Sequence, residues 1–209
     1  MAASLHPLDV QIGGRMRGPV AAAAAAAVAM TAALLTAQEG ARPQPSAQPG
    51  QPAGSMMAAS ASLVDASGRN IGGAHLRETS HGVLIRLELK NATPGPHGFH
   101  IHETGTCEQP SFSSAGGHFN PNGRKHGFLS PDGPHAGDLP NIEVPSTTTL
   151  SVEHFASGVT LKPGPRSLLD ADGSAVMIHS GQDDYMSDPG GNAGDRLACG
   201  EITVAPAER

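Results

Sequence analysis

Residues His97–Cys107 read HGFHIHETGTC, placing three histidines within six residues and a cysteine close behind. On a polar loop such a cluster would be chance. On a strand, where side chains alternate faces, His100 and His102 point the same way with one isoleucine between them. Two imidazoles on one face of a rigid strand make half of a metal site. His97, three residues before His100, turns to the opposite face and reads as a structural residue that bonds backbone.

Partners for the half-site are plentiful. Beyond the N-terminal region the histidines are His75, His81, His97, His100, His102, His118, His126, His135, His154 and His179, densest between His97 and His135. Asp138 follows His135 in PHAGDLPN. Imidazole-rich sites with one carboxylate suit zinc, and imidazole-only sites also suit copper. There are enough imidazoles for two metals, and spacing alone does not say which histidine binds what. His75, His81 and His154 fit no metal motif and read as surface or core-edge residues.

The elements that must hold these residues are strands. GVLIRLELKN (Gly82–Asn91) puts Val83, Ile85, Leu87 and Leu89 on one face and Arg86, Glu88 and Lys90 on the other, as in a half-buried antiparallel strand. ASLVDASGRNIGGAHLRET reads as two strands around Ser67–Asn70. Further strands are expected at Gly98–His102, Thr148–Phe155, Ala175–His179 and Ile202–Ala205, and no window suits an amphipathic helix. The expected fold is all-β, a Greek-key β-sandwich or flattened barrel of about eight antiparallel strands. Two long irregular segments, Glu103–Pro134 and Ser180–Ala198, carry the residues of interest and are expected to be functional loops.

Composition narrows the class. With 27 Gly, 18 Pro and 3% aromatics, the chain favours turns and loops over long helices. The net charge of −6 and the lack of any basic stripe exclude a nucleic-acid binder. Arg15 and Arg17 precede an uncharged, alanine-dominated stretch ending near Gln38, which reads as a secretory signal over residues 1–37. A retained membrane anchor is the alternative, since the stretch is nearly long enough to span. Residues 38–57 form a Pro/Gln-rich linker, residues 58–205 the folded domain and residues 206–209 a tail. Cys107 and Cys199 read as one intrachain disulfide in an oxidising compartment, and as two buried thiols in the cytoplasm. In the chain-entropy model a bridge closing a loop of about 90 residues contributes up to ~4.6 kcal/mol.

Five strings, GFHIHETGTC, GGHFNPNGRKHG, PHAGDLPN, VMIHSGQDDY and GNAGDRLACG, together resemble, in order and spacing, the copper/zinc superoxide dismutases, exported bacterial members included. The resemblance spans residues 58–205. It implies that His100, His102 and His179 bind copper, and that His118 is an imidazolate bridging copper to a structural zinc. It further implies that His126, His135 and Asp138 complete the zinc site. Asp183 would accept hydrogen bonds from one ligand of each metal, His100 and His126. Arg196 would stand at the mouth of the copper channel, and Cys107–Cys199 would fasten the long loop beside it. The implied reaction is dismutation of superoxide to dioxygen and hydrogen peroxide by redox-cycling copper, with Arg196 and His118 as the catalytic residues. The implied location is periplasmic or extracellular.

The alternative is a non-enzymatic exported copper/zinc-binding protein of the same fold. Such a relative would usually lack a copper ligand or the arginine, and this chain has all of them. One departure concerns charge. The loop SGQDDYMSDPGGNAGD has four aspartates and no lysine, so any attraction beyond Arg196 must come from elsewhere, with Arg124, Lys125 and Lys162 as candidates. Family members differ in whether and how they pair, which leaves a homodimer open.

Overall fold

The structure, a computed structural model, describes residues 57–147 and 149–205. The expected signal or anchor, all of the linker but Met57 and the 206–209 tail lie outside the described residues, as does Thr148, the first residue of one expected strand.

Alternation and turn chemistry build the first strands. Ala58–Asp65 (β1) and Asn70–Glu78 (β2) flank a turn held by Asp65, whose carboxylate accepts the backbone N–H groups of Ser67 and Arg69 at 2.9 and 3.0 Å. In Val83–Lys90 (β3) the four apolar residues Val83, Ile85, Leu87 and Leu89 are fully buried while Arg86 and Lys90 face solvent. The remaining strands are Gly95–His97 (β4), Phe99–His102 (β5), Ile142–Val144 (β6), Thr149–Ala156 (β7), Ala175–His179 (β8), Arg196–Glu201 (β9) and Thr203–Val204 (β10). Among the described residues the one helical element is a 3-10 turn at Ser113–Ala115.

The main sheet runs β5-β8-β9-β1-β2-β3-β7, with β10 also on β1, while β4 and β6 pair separately. Phe99 of β5 and His154 of β7 stand at opposite ends of this order, yet their rings lie 5.3 Å apart. The sheet is therefore curled into a flattened antiparallel barrel around one hydrophobic core. His154 is a buried core-edge residue of this closure.

Several expectations need correction. The strand expected at Ile202–Ala205 is present but short, as β10, and the principal strand before it, β9, is one the sequence did not suggest. Arg196–Glu201 contains Ala198, Cys199 and Gly200, which have little β propensity, and it is covered on both faces, so no alternation marks it. The second functional loop consequently ends at Asp195, and Arg196 opens a strand. The first continues past Pro134 to Asn141. The short β4–β6 pair gave no pattern long enough to read. His97 closes β4 rather than opening β5. It is buried, with its ring nitrogens 2.7 Å from the His179 carbonyl and 2.8 Å from the Thr93 carbonyl.

A third long connection, residues 157–174, inserts Leu161 and Leu168 into the core. Glu78 holds it there: the carboxylate accepts the Leu161 N–H at 2.7 Å and the Thr160 hydroxyl at 2.8 Å, with the Lys162 ammonium 3.3 Å away. Burial opposes ionisation of Glu78, but these three partners outweigh it and hold the carboxyl below its usual value of 4.5. The folded form thus binds the proton less readily than the unfolded chain, so this stabilisation is present above pH 4.5 and lost as pH falls through the depressed value. Glu78→Gln should cost about 1–3 kcal/mol at pH 7. It should also shrink the loss of stability between pH 5 and pH 3. Urea denaturation across that range checks both, and an unchanged acid slope would contradict the assignment.

Candidate metal centre

All four residues of β5 are buried, which a strand with one wet face would not show. The reason is that β5 and β8 carry packed material on both sides. Val176 and Ile178 of β8 enter the main core. Ala175 and Met177 point the other way, into a second cluster with Phe112, Ala115 and Cys199. Register places His100 opposite Met177 and His102 opposite Ala175, so both imidazoles share this outer face. Two residues beyond Met177, His179 joins them. A register shift in the β8–β9 ladder sets Arg196 opposite His179.

The first long loop roofs that face and is fastened at several points. The Cys107–Cys199 disulfide, Cα atoms 5.7 Å apart, ties it to β9. Phe112, fully buried, plugs the second cluster. Farther along, the loop is hydrogen-bonded to β5: Phe119 donates to the Ile101 carbonyl at 2.8 Å, and Ile101 donates to the Gly137 carbonyl at 2.9 Å. Isolated bridges pair His102 with His118 and His100 with Asp138. Gly137 permits this contact, because a Cβ there would sit 2.4 Å from the Ile101 carbonyl oxygen.

The loops gather the imidazoles into two adjoining groups. Donor atoms of His100, His102, His118 and His179 lie within 4.8 Å of one another, as do those of His118, His126, His135 and Asp138. Hydrogen bonds to the far nitrogens fix the tautomers of three rings of the first group. His100 Nε2 donates to Asp183 Oδ2 at 2.7 Å, His102 Nδ1 to the Gly116 carbonyl at 3.0 Å and His179 Nδ1 to the Gly194 carbonyl at 3.2 Å. What remains is His100 Nδ1, His102 Nε2 and His179 Nε2, each buried and without a partner. Burial, with the nearby His118 and Arg196 charges, pushes the His102 ring down to about 2, and burial with His100 pushes His179 down to about 3. Neutral, bare and convergent nitrogens are what a copper ion requires.

In the second group the Nδ1 atoms of His118, His126 and His135 lie 2.8, 3.1 and 3.2 Å from Asp138 Oδ1. The other carboxylate oxygen is occupied by the N–H groups of Gly127 and His135, at 2.9 and 3.0 Å. Burial opposes ionisation of Asp138, but the three imidazoles hold its carboxyl well below the usual carboxylate range. Three nitrogens and one carboxylate oxygen match the donor set of zinc. His118 belongs to both groups, and burial pushes its ring down to about 4 against the hydrogen bond to Asp138. Asp183 touches both sides, accepting His100 Nε2 at 2.7 Å and His126 Nε2 at 3.0 Å. Although burial opposes it, the bonds to Asp138 and Asp183 raise the His126 ring to about 9.

Arg196 is half-buried and donates to the loop carbonyls of Phe112 and Gly116, the latter at 2.6 Å. Its charge reaches His102 and His179. Of the other cations considered, Lys125 is paired with Asp188 at 2.8 Å and Lys162 with Glu78. Arg124 donates to the Gly133 carbonyl. Sequence reasoning passed over Asp188, whose carboxylate also accepts the His126 N–H at 3.0 Å, and the Gly116 carbonyl, shared by His102 and Arg196. Neither has a sequence signal, since each acts through a contact between segments far apart in the chain.

A flattened β-barrel whose outer face carries a four-imidazole group fused through one histidine to a three-imidazole, one-carboxylate group defines a binuclear metalloprotein. The family model for copper/zinc superoxide dismutase matches residues 71–202. The chain is 53% identical over 146 residues to copper–zinc superoxide dismutase 2 of Aquifex aeolicus, covering 69% of this chain and 85% of that one. It is 43% identical over 143 residues to a superoxide dismutase-like protein of Bacillus subtilis, covering 67% and 73%. Among solved structures, a SOD-like protein from Bacillus subtilis superposes with a TM-score of 0.67 at 40% identity, over 69% of this chain and 97% of that one. The Cu/Zn superoxide dismutase of Brucella abortus gives 0.56 at 28%, over 70% and 99%. The chain belongs to the copper/zinc superoxide dismutase family.

Gly137→Ala should force the loop off β5, costing about 1–3 kcal/mol, the usual scale of overpacking. Zinc binding should weaken with it, since His135 and Asp138 flank that contact. Denaturant titration and chelator competition measure the two effects, and wild-type values for both would refute this account of how the loop is seated.

Proposed function

We propose that this protein disproportionates superoxide into dioxygen and hydrogen peroxide at a copper–zinc centre built on His118. The observation that carries this reading is the sharing of one histidine between an imidazole-only group and a group with a carboxylate. His100, His102, His118 and His179 would hold copper, which would supply a one-electron redox couple, and His118, His126, His135 and Asp138 would hold a redox-silent zinc. The rest falls to the chain itself.

Two superoxide anions and two protons yield one dioxygen and one hydrogen peroxide, so the site must bind an anion and deliver protons. Arg196 serves the first need. It stands opposite His179 in the ladder, and its guanidinium is held by two loop carbonyls beside the imidazoles. The chain as a whole is negative, but a fixed cation at the mouth of a site with low-dielectric walls dominates the local field. With Lys125 and Lys162 in ion pairs, Arg196 is the cation held beside the imidazoles themselves. His118 serves the second need. Its Nδ1 faces Asp138, which leaves the opposite nitrogen to hold a proton and give it up. Asp183 orients His100 and His126 by accepting their far N–H groups.

The Cys107–Cys199 disulfide suits an oxidising compartment. Together with the alanine-rich segment over 1–37, it supports export to the periplasm or the extracellular space.

The decisive experiment loads the full chain with both metals, measures metal content and follows superoxide decay by pulse radiolysis. Full metal occupancy without dismutase activity would overturn the enzymatic reading and leave a metal-binding protein. Arg196→Glu should lower the second-order rate roughly tenfold or more and flatten its dependence on salt. An unchanged rate would remove Arg196 from the mechanism.

A further inference from the structure

Asp183 lies on a loop, yet it must present one carboxylate oxygen to His100 and the other to His126. A loop carboxylate holds such a position only if its own backbone is held. Asn141 does this with a closed pair of hydrogen bonds: its Nδ2 donates to the Asp183 carbonyl, and its Oδ1 accepts the Asp183 N–H, both at 2.9 Å. Asn141 sits three residues beyond Asp138, on the segment that supplies the carboxylate of the second group.

Tyr185 completes the arrangement from the other side. Its N–H donates to Asp183 Oδ1 at 2.6 Å, and its hydroxyl accepts the Asn141 N–H at 2.7 Å. Its carbonyl accepts the Leu129 N–H at 3.0 Å, and its ring meets Phe128 edge-on with centroids 5.5 Å apart. Tyr185 adopts a left-handed backbone, φ 62°, which tertiary contacts must maintain in a non-glycine residue. Room for its carbonyl exists because residue 127 is glycine: a Cβ there would lie 2.0 Å from that oxygen. Three segments separated in sequence, 127–129, 138–141 and 183–185, thus meet around Asp183 and Tyr185.

We propose that Asn141 and Tyr185 are positioning residues that clamp Asp183 and through it set the aim of His126 and His100. The inference rests on the reading of His126 and Asp138 as zinc ligands, and extends it to two residues that touch neither metal set with their side chains. Groups that orient metal ligands from behind typically contribute 10- to 100-fold in metal affinity.

The test uses the full chain with its disulfide intact, first stripped of metal. Zinc affinity is measured by competition with a chromophoric chelator, and cobalt(II) in place of zinc reports ligand geometry through its visible absorption. Asn141→Ala should weaken zinc binding roughly 10- to 100-fold and shift the cobalt bands. Tyr185→Phe keeps the ring on Phe128 and the bonds of residue 185's own backbone, losing only the hydroxyl that accepts the Asn141 N–H, so it should fold even where Asn141→Ala does not, and it should weaken zinc roughly tenfold. Asp183→Asn is the benchmark. Lower melting temperatures with wild-type zinc affinity and cobalt bands in both clamp variants, while Asp183→Asn loses affinity, would overturn the clamp alone. Unchanged affinity in Asp183→Asn would overturn the supporting role of Asp183, and the clamp with it.

Discussion

Everything at this centre depends on keeping imidazole nitrogens bare inside protein. A buried polar atom without a partner costs free energy, and three such nitrogens, on His100, His102 and His179, sit within one small volume. The barrel makes that tolerable by separating two tasks. Its inner face is an ordinary aliphatic core that stabilises the strands regardless of the site. Its outer face, on β5 and β8, is then free to carry groups that contribute nothing to stability until a metal occupies them.

Bare nitrogens also need to be the correct ones, and this is settled from behind. The rings of His100, His102 and His179 donate through their far nitrogens to Asp183, Gly116 and Gly194, and only one tautomer satisfies each bond. The acceptors belong to the two long loops. Loop placement and ligand chemistry are therefore one problem, which explains the density of fastenings: the disulfide, the Phe112 plug, the backbone ladder onto β5 and the Arg196 bonds. Arg196 has two jobs in this scheme, since the guanidinium that would attract an anion also holds the Gly116 carbonyl that orients His102.

Strands were legible where one face is wet or where a run of apolar residues is dense. Val83–Lys90 alternates because its polar residues reach water, and Ala175–His179 is marked by a dense apolar run. Arg196–Glu201 escaped notice because its centre, Ala198–Gly200, is buried and built from small residues, so neither alternation nor propensity distinguishes it. The 157–174 connection escaped for a related reason. Its buried leucines plug the core from an irregular segment that has no period, and the carboxylate that holds it comes from Glu78, far back in the chain.

The sequence by itself determined the donors and their local pairing: alternation alone puts His100 and His102 on one face, and the ordered motifs imply the family. It could not determine which nitrogen of each ring is bare, how the backbone of Asp183 is held, or that Lys125 and Lys162 are already paired with Asp188 and Glu78. These are properties of contacts between segments dozens of residues apart. Spacing along a chain carries periodicity, which is local, but hydrogen-bond direction and charge pairing exist only once the loops have closed over the sheet.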